Sequence, residues 1–445
     1  METLFINFIR RDNLSKFINS TVVGIDISKD FHYYCIMGPK GDFYKTPTRI
    51  NNNLEGYNSL IREIEKAKKR FNTDIPIFME STSKYHETLL HFLIKNKQEA
   101  YLLNPLVTNS NKNINIRKAK NDKLDSKSIA KLAKYEDIKY TSYFDYNMAN
   151  LKTLVRLYYS TVDECSKYKI KLDAYLQVFF PNYSKIFNDT CCKTSLEILR
   201  KYTTPQAIID EDKEVIIDLL KNFSMKGSNW AEKKYAVLLA VAKEAIIIGI
   251  QSAGTESAVS YTVENIDRIN SQLDSMKKEI EYTVNSEDFS PIIRESIDLI
   301  DSIPGFDFLS SVALISEIGD YSRFTKPKQL VAYLGIDPGV KQSGNYSSKS
   351  NRMSKRGSAF ARRSLYAAAL TSIRKKNNGE FYNHVLFKYY TENLKNKPKK
   401  VRLGAIMHKL VNYIYSILRD RKEFQIRDPR IHQQMFLQNI EKLAS

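Results

Sequence analysis

The chain has 445 residues, 42% of them hydrophobic, and carries 69 Lys and Arg against 50 Asp and Glu, a formal net charge of +19. That length allows two or three domains with sizeable cores, and the apolar content excludes a disordered tail. Excess positive charge points to a polyanion, either nucleic acid or an anionic membrane surface.

The N-terminal METLFINFIRRDNLSKF lacks a signal-peptide layout. Residues 20–140 then alternate strand and helix signals. VVGIDIS (22–28), FHYYCIM (31–37) and DFYKTPTRI (42–50) read as three strands, with Gly38 and Gly41 in the turn between the second and third. LEGYNSLIREIEKAKKRF (54–71) has helical spacing, IPIFME (75–80) is a strand, YHETLLHFLIKN (85–96) a helix, and AYLLNP (100–105) a strand closed by Pro105. Three strands in sequence followed by interleaved strands and helices predict an α/β domain.

Residues 146–290 read as almost all helix. The longest apolar stretch, 235–250, is interrupted by Lys243 and Glu244 and is too short to span a bilayer, so a membrane role loses ground to nucleic acid. Ile266, Ile269, Leu273, Met276 and Ile280 alternate steps of three and four. That spacing fits a short coiled-coil seam and equally an amphipathic helix packing on its own domain. From residue 295, IDSIPGFDFLSSVALISEIGD predicts two short helices around a Pro-Gly turn, the outline of a helix–hairpin–helix. Such a turn offers backbone N–H groups to a phosphate. Asp307 would repel that phosphate, so a packing role stands beside DNA contact. Helices follow from Ala359 to Lys375 and from Lys400 to Arg419.

Between Lys341 and Leu410 there are 17 Lys and Arg and only two acids, Glu380 and Glu392, leaving +4 for the rest of the chain. Charge runs are often solvated faces, but one this concentrated favours nucleic acid. Arg362 and Arg363, on a helix with Ala neighbours, are candidate backbone contacts. The tyrosine pairs such as Tyr33–Tyr34 and Tyr158–Tyr159 fit packing better than base stacking. The four cysteines, Cys35, Cys165, Cys191 and Cys192, form no CxxC, which predicts a reduced, cytosolic protein without structural zinc.

Four carboxylates carry the chemistry. Asp26 and Glu80 each lie at or near the end of a short apolar run, and Asp122 and Asp125 stand one helical turn apart in KNDKLDSKSIA. Hard oxygen ligands from strand, strand and helix suit two divalent cations over a phosphodiester. Each acid taken singly also fits a cap or a surface position. Ser343-Gly344 is a second candidate: a serine hydroxyl can attack phosphorus and conserve bond energy as a phosphoserine, with Lys341, Lys349, Arg352, Lys355 and Arg356 near in sequence. Four other serines share that loop, and Ser-Gly is also an ordinary turn pair.

GIDISKD, FMESTSKYHETLLHFL, LLNP and KNDKLDSKSIA, in that order, resemble the N-terminal RuvC-like domain of the insertion-sequence 110 transposases, also called DEDD transposases. Residues 298–370 resemble the C-terminal domain of the same family, with Ser348 standing where a glycine often precedes the loop lysine. The resemblance implies an RNase-H-like domain over 20–145, a helical and coiled-coil linker or oligomerisation region over 146–292, and a mostly helical C-terminal transposase domain over 293–425. It implies that Asp26, Glu80, Asp122 and Asp125 bind Mg²⁺ or Mn²⁺, and that Ser343 is the nucleophile. Lys341, Gly344, Lys349, Arg352, Lys355, Arg356, Arg362 and Arg363 are its candidate nucleic-acid contacts.

The implied partners are donor and target DNA, a guide RNA encoded by the element, and further copies of the chain in a dimer or tetramer, with no membrane. The setting is bacterial cytoplasm, at the nucleoid. In that picture a composite site joins the metal set of one subunit to Ser343 of another. The rivals are a Holliday-junction-resolvase-like nuclease using water, a non-catalytic nucleic-acid-binding protein, and an actin-like ATPase, which shares only the opening GxD strand.

Overall fold

A computed structural model describes residues 15–80, 84–103, 122–136, 140–141, 146–339, 342–343, 346–347, 352–428, 431 and 434. The chain divides into two compact units, Met1–Asp145 and Tyr146–Ser445. Among the described residues no helix is long and apolar enough to cross a membrane.

The first unit is a six-stranded sheet. Its strands are β1 (Val22–Ile27), β2 (Phe31–Met37), β3 (Phe43–Asn51), β4 (Ile77–Glu80), β5 (Ala100–Leu103) and β6 (Tyr140–Thr141), in the order β3-β2-β1-β4-β5-β6. β1, β2 and β3 form an antiparallel meander, β4 and β5 run parallel to β1, and β6 is antiparallel. Alternation along each strand divides the side chains between two cores. Val23, Ile25, Ile36, Ile77 and Met79 face α1 (Leu54–Phe71) and α2 (Tyr85–Lys95). Val22, Cys35, Met37, Phe78 and Leu103 face α3 (Asp122–Tyr135).

Helix α1 starts at Asn53, whose side chain accepts from the Gly56 N–H, and buries Tyr57, Leu60, Ile64 and Ala67 at helical spacing. It ends at Asn72 in the left-handed conformation, with Lys68, Lys69 and Arg70 in its last turn. α3 buries Ser126, Ile129, Ala130 and Ala133 against the sheet. Lys134 Nζ donates to the Ser20 carbonyl just before β1, while Lys123 lies over Tyr33 near the far end of β1. α3 therefore runs antiparallel to β1, with its N-terminus at the C-terminal end of that strand.

The second unit is helical. α4 (Tyr146–Phe179) is followed by α5 (Lys193–Lys201), α6 (Pro205–Asp210), α7 (Lys213–Ser224), α8 (Ser228–Ile248) and α9 (Ala253–Asn285). α4 and α9 pack antiparallel. Leu151 and Val155 share a core with Ile280 and Val284, Cys165 Sγ meets Asn270 Oδ1 at 3.6 Å, and Leu172 and Leu176 share a core with Val259 and Val263. Of the seam expected at Ile266, Ile269, Leu273, Met276 and Ile280, the three isoleucines are fully buried within the chain, while Leu273 and Met276 are half-buried.

Next come α10 (Pro291–Asp301), α11 (Phe308–Ile318), α12 (Pro327–Leu334), the hairpin β7 (Gln342–Ser343) with β8 (Tyr346–Ser347), α13 (Ala359–Ser372), α14 (His384–Lys388) and α15 (Lys399–Asp420). The Pro-Gly turn between α10 and α11 packs inward. Gly305 has φ +114°, and a Cβ there would meet the Ala368 carbonyl and the Ser372 hydroxyl of α13. Ser372 Oγ donates to the Pro304 carbonyl at 2.8 Å. Asp307 caps α11: its carboxylate accepts from Ser310 N–H at 2.8 Å, and Ser310 Oγ accepts from Asp307 N–H at 2.9 Å. At this turn the acid serves the helix, which accounts for an acidic residue where phosphate contact was the competing expectation.

Candidate active site

Asp26 and Glu80 are brought together by strand register. β1 and β4 pair in parallel through Gly24–Phe78 and Ile25–Met79, so one step on Glu80 lies beside Asp26. Alternation sends Asp26 to the face of Gly24, and Glu80 to the face of Phe78, which is the α3 face. Because α3 is antiparallel to β1, Asp122 and Asp125 in its first turn arrive at the same end of the sheet. Glu80 and Asp125 are buried, at 5% and 8% exposure, while Asp26 and Asp122 are half-buried.

Carboxylate oxygens suit hard cations such as Mg²⁺ or Mn²⁺. By donor chemistry the set fits such an ion, and by backbone placement its four members share one end of one sheet. Their side chains are not drawn into a cage. Among the described residues, no group of three or more His, Cys, Asp or Glu could hold a metal ion as it stands.

Ser343 lies on β7, where it pairs with Tyr346. Lys341, Gly344 and Lys349 fall outside the described residues. Backbone hydrogen bonds close the neck of this loop. Gly339 N–H donates to the Arg352 carbonyl, Ser354 N–H to the Asp337 carbonyl and Lys355 N–H to the Gly335 carbonyl, at 2.8, 2.8 and 3.0 Å. Ser354 Oγ also donates to the Asp337 carboxylate. Arg352, Lys355 and Arg356 are exposed along this neck.

Arg362 and Arg363 turn towards the protein. Arg362 Nη1 donates to the carbonyls of Gly357 at 2.5 Å and Leu334 at 3.3 Å, tying α13 to both sides of the neck. Arg363 pairs with Asp163 of α4 at 2.7 Å and lies over the Tyr159 ring.

The same unit holds an ion cluster that the sequence reading missed. Arg156 donates to both oxygens of Glu317 at 2.6 and 2.9 Å, and Lys152 Nζ stands 3.4 Å from Glu317 Oε2. The local signal was two cations four apart on α4; their acid is 161 residues beyond Arg156.

Both halves match transposase families. A model described as "Transposase", for the DEDD domain, matches residues 23–181, and one described as "Transposase IS116/IS110/IS902 family" matches residues 297–384. Together they take in more than half of the sequence, and the chain belongs to the IS110 family of transposases. The pilin gene-inverting protein of Moraxella bovis is 28% identical over 176 residues, 39% of this chain and 51% of that protein. Its namesake from Moraxella lacunata matches to the same extent. The chain spans about half the length of these curated relatives.

Proposed function

We propose that the chain is a DNA transposase and site-specific recombinase that cleaves and exchanges strands through a covalent phosphoserine. The observation that carries this reading is that strand register and the direction of α3 bring the backbones of Asp26, Glu80, Asp122 and Asp125 to one end of one sheet, in a chain whose basic C-terminal sequence also holds Ser343-Gly344. The strand order β3-β2-β1-β4-β5-β6 supports an RNase-H-like, RuvC-like first unit. The inversion named for the two Moraxella relatives supports recombination as the outcome.

Asp26, Glu80, Asp122 and Asp125 would hold Mg²⁺ or Mn²⁺, which when bound withdraws charge from phosphate oxygens. The Ser343 hydroxyl attacks phosphorus and gives its proton to solvent, the bond from phosphorus to one DNA sugar oxygen breaks, and that oxygen takes a proton from solvent and leaves as a hydroxyl as the serine ester forms. The ester keeps the bond energy for rejoining. Lys341, Gly344, Lys349, Arg352, Lys355, Arg356 and Arg363 would contact the nucleic-acid backbone, while Arg362, through Leu334 and Gly357, holds the neck of the loop. Donor and target DNA are the substrates, an element-encoded RNA guides their choice, and the chain works as a dimer or tetramer at the bacterial nucleoid. In that assembly the carboxylates of one subunit meet Ser343 of another.

The test is the covalent adduct. Wild-type protein with Mg²⁺ and a DNA junction should give a protein–DNA species that survives denaturing electrophoresis. Ser343→Ala and Asp26→Asn should each abolish it. Undiminished cleavage by Ser343→Ala without an adduct would instead select water as the nucleophile, the resolvase-like reaction.

A further inference from the structure

We propose that Arg49, Phe31, Tyr33 and Lys123 form a rail that carries a DNA strand across the carboxylate end of the sheet. The proposal rests on the reading of that end as the place of DNA chemistry.

Three residues stand side by side there. Asp26 of β1 pairs with Tyr33 of β2, and Tyr33 pairs with Arg49 of β3. Opposed residues in an antiparallel pair project from one face, here the face on which Cys35 meets the Ser126 carbonyl of α3. Two cations bracket two rings along this line. The Arg49 guanidinium lies 4.2 Å from the Phe31 centroid. Phe31 meets Tyr33 edge-on at 5.8 Å and 88°. Lys123 Nζ stands 5.9 Å from the Tyr33 centroid. Lys123 sits between Asp122 and Asp125, so the row runs from the β3 side of the sheet into the carboxylate set. Arg49 and Lys123 are exposed, and both rings are half-buried.

Four carboxylates repel a phosphodiester, so a strand crossing them needs cations on the phosphates that flank the reacting one. The ring beneath Arg49 fixes the plane of its guanidinium, so less freedom is lost when its fork closes on a phosphate. Such contacts hold a strand in place without reading its sequence. The row fits a DNA strand in this role.

The experiment measures affinity of the full chain for a labelled single-stranded DNA in EDTA across a salt series. Arg49→Gln and Lys123→Gln should each weaken binding roughly three- to tenfold and lower the salt slope by about 1. Phe31→Leu should weaken binding while leaving the slope unchanged. The reference is Arg62→Gln, an equal charge change at an exposed position on α1, across the sheet. Arg49→Gln and Lys123→Gln losing no more than Arg62→Gln would overturn the rail, as would a larger loss on RNA than on DNA. Asp26→Asn separates the two readings. If it retains strand exchange, the carboxylate reading fails, while the binding losses of the rail variants are judged by themselves.

Discussion

Gly24 of β1 lies directly beneath Ser126 of α3: a Cβ at Gly24 would run into the Ser126 carbonyl oxygen and stand 2.8 Å from the Ala130 Cβ. This contact sets how closely α3 approaches the sheet, and so how near Asp122 and Asp125 come to Asp26. Gly24→Ala should destabilise the first unit by about 1–3 kcal/mol through overpacking. It should also reduce adduct formation at saturating DNA. Urea unfolding and adduct yield measure the two effects; unchanged values for both would refute this account of the contact.

Metal binding should show in stability as well as in activity. A divalent ion that binds only the folded carboxylate set stabilises it by RT ln(1 + [L]/Kd), about 1.4 kcal/mol at tenfold excess over Kd. Mg²⁺ or Mn²⁺ should therefore raise the melting temperature of the wild type. Asp26→Asn and Asp125→Asn should abolish that rise. A rise of equal size in both variants would place the ion elsewhere.

Arg362 separates positioning from DNA contact. Its hydrogen bonds to Leu334 and Gly357 tie the neck of the Ser343 loop. Arg362→Ala should lower the rate of adduct formation within bound complexes and leave DNA affinity and its salt slope nearly unchanged. Arg362→Lys should recover little, since a point charge replaces a planar fork. A fall in affinity and salt slope, with the adduct rate intact, would make Arg362 a phosphate ligand instead.

Glu317 gives the second unit a defined acid sensitivity. Burial pushes its carboxyl up, but the Arg156 hydrogen bonds and the charges of Lys152 and Arg156 together hold it below its ordinary value of 4.5. The folded state therefore binds this proton less readily than the unfolded chain. The stability it contributes is complete above pH 4.5 and is lost as pH falls through the folded value. Glu317→Gln should cost about 1–3 kcal/mol at neutral pH and flatten this part of the profile. Urea midpoints between pH 3 and 7, about the range over which such a carboxyl titrates, would read both; parallel profiles would rule the cluster out as the source.

Asp307 should behave as a cap. Asp307→Ala should lower stability by about 1 kcal/mol, and Asp307→Ser should restore most of it. If DNA affinity rose in both variants, the acid would instead be holding phosphate away from the turn.

Much of this protein was legible locally. The bounds of α1 followed from helical periodicity, and the strands of the meander followed from short β-rich runs between Gly and polar turns. The placement of Asp26, Glu80, Asp122 and Asp125 on strand, strand and helix followed likewise, because a local repeat determines local backbone. What each surface meets did not follow. The spacing of Ile266, Ile269 and Ile280 requires burial, but only the packed chain supplies α4 as the partner. Arg362 and Arg363 read as candidate backbone contacts in sequence; that Arg362 also bonds the neck and Arg363 also pairs with Asp163 of α4 could come only from the packed chain. Asp26 and Glu80 are 54 residues apart in sequence and adjacent only through strand register. Periodicity says that a face must be covered or a charge satisfied; which distant residue does so depends on long-range packing, and that the tertiary structure alone decided.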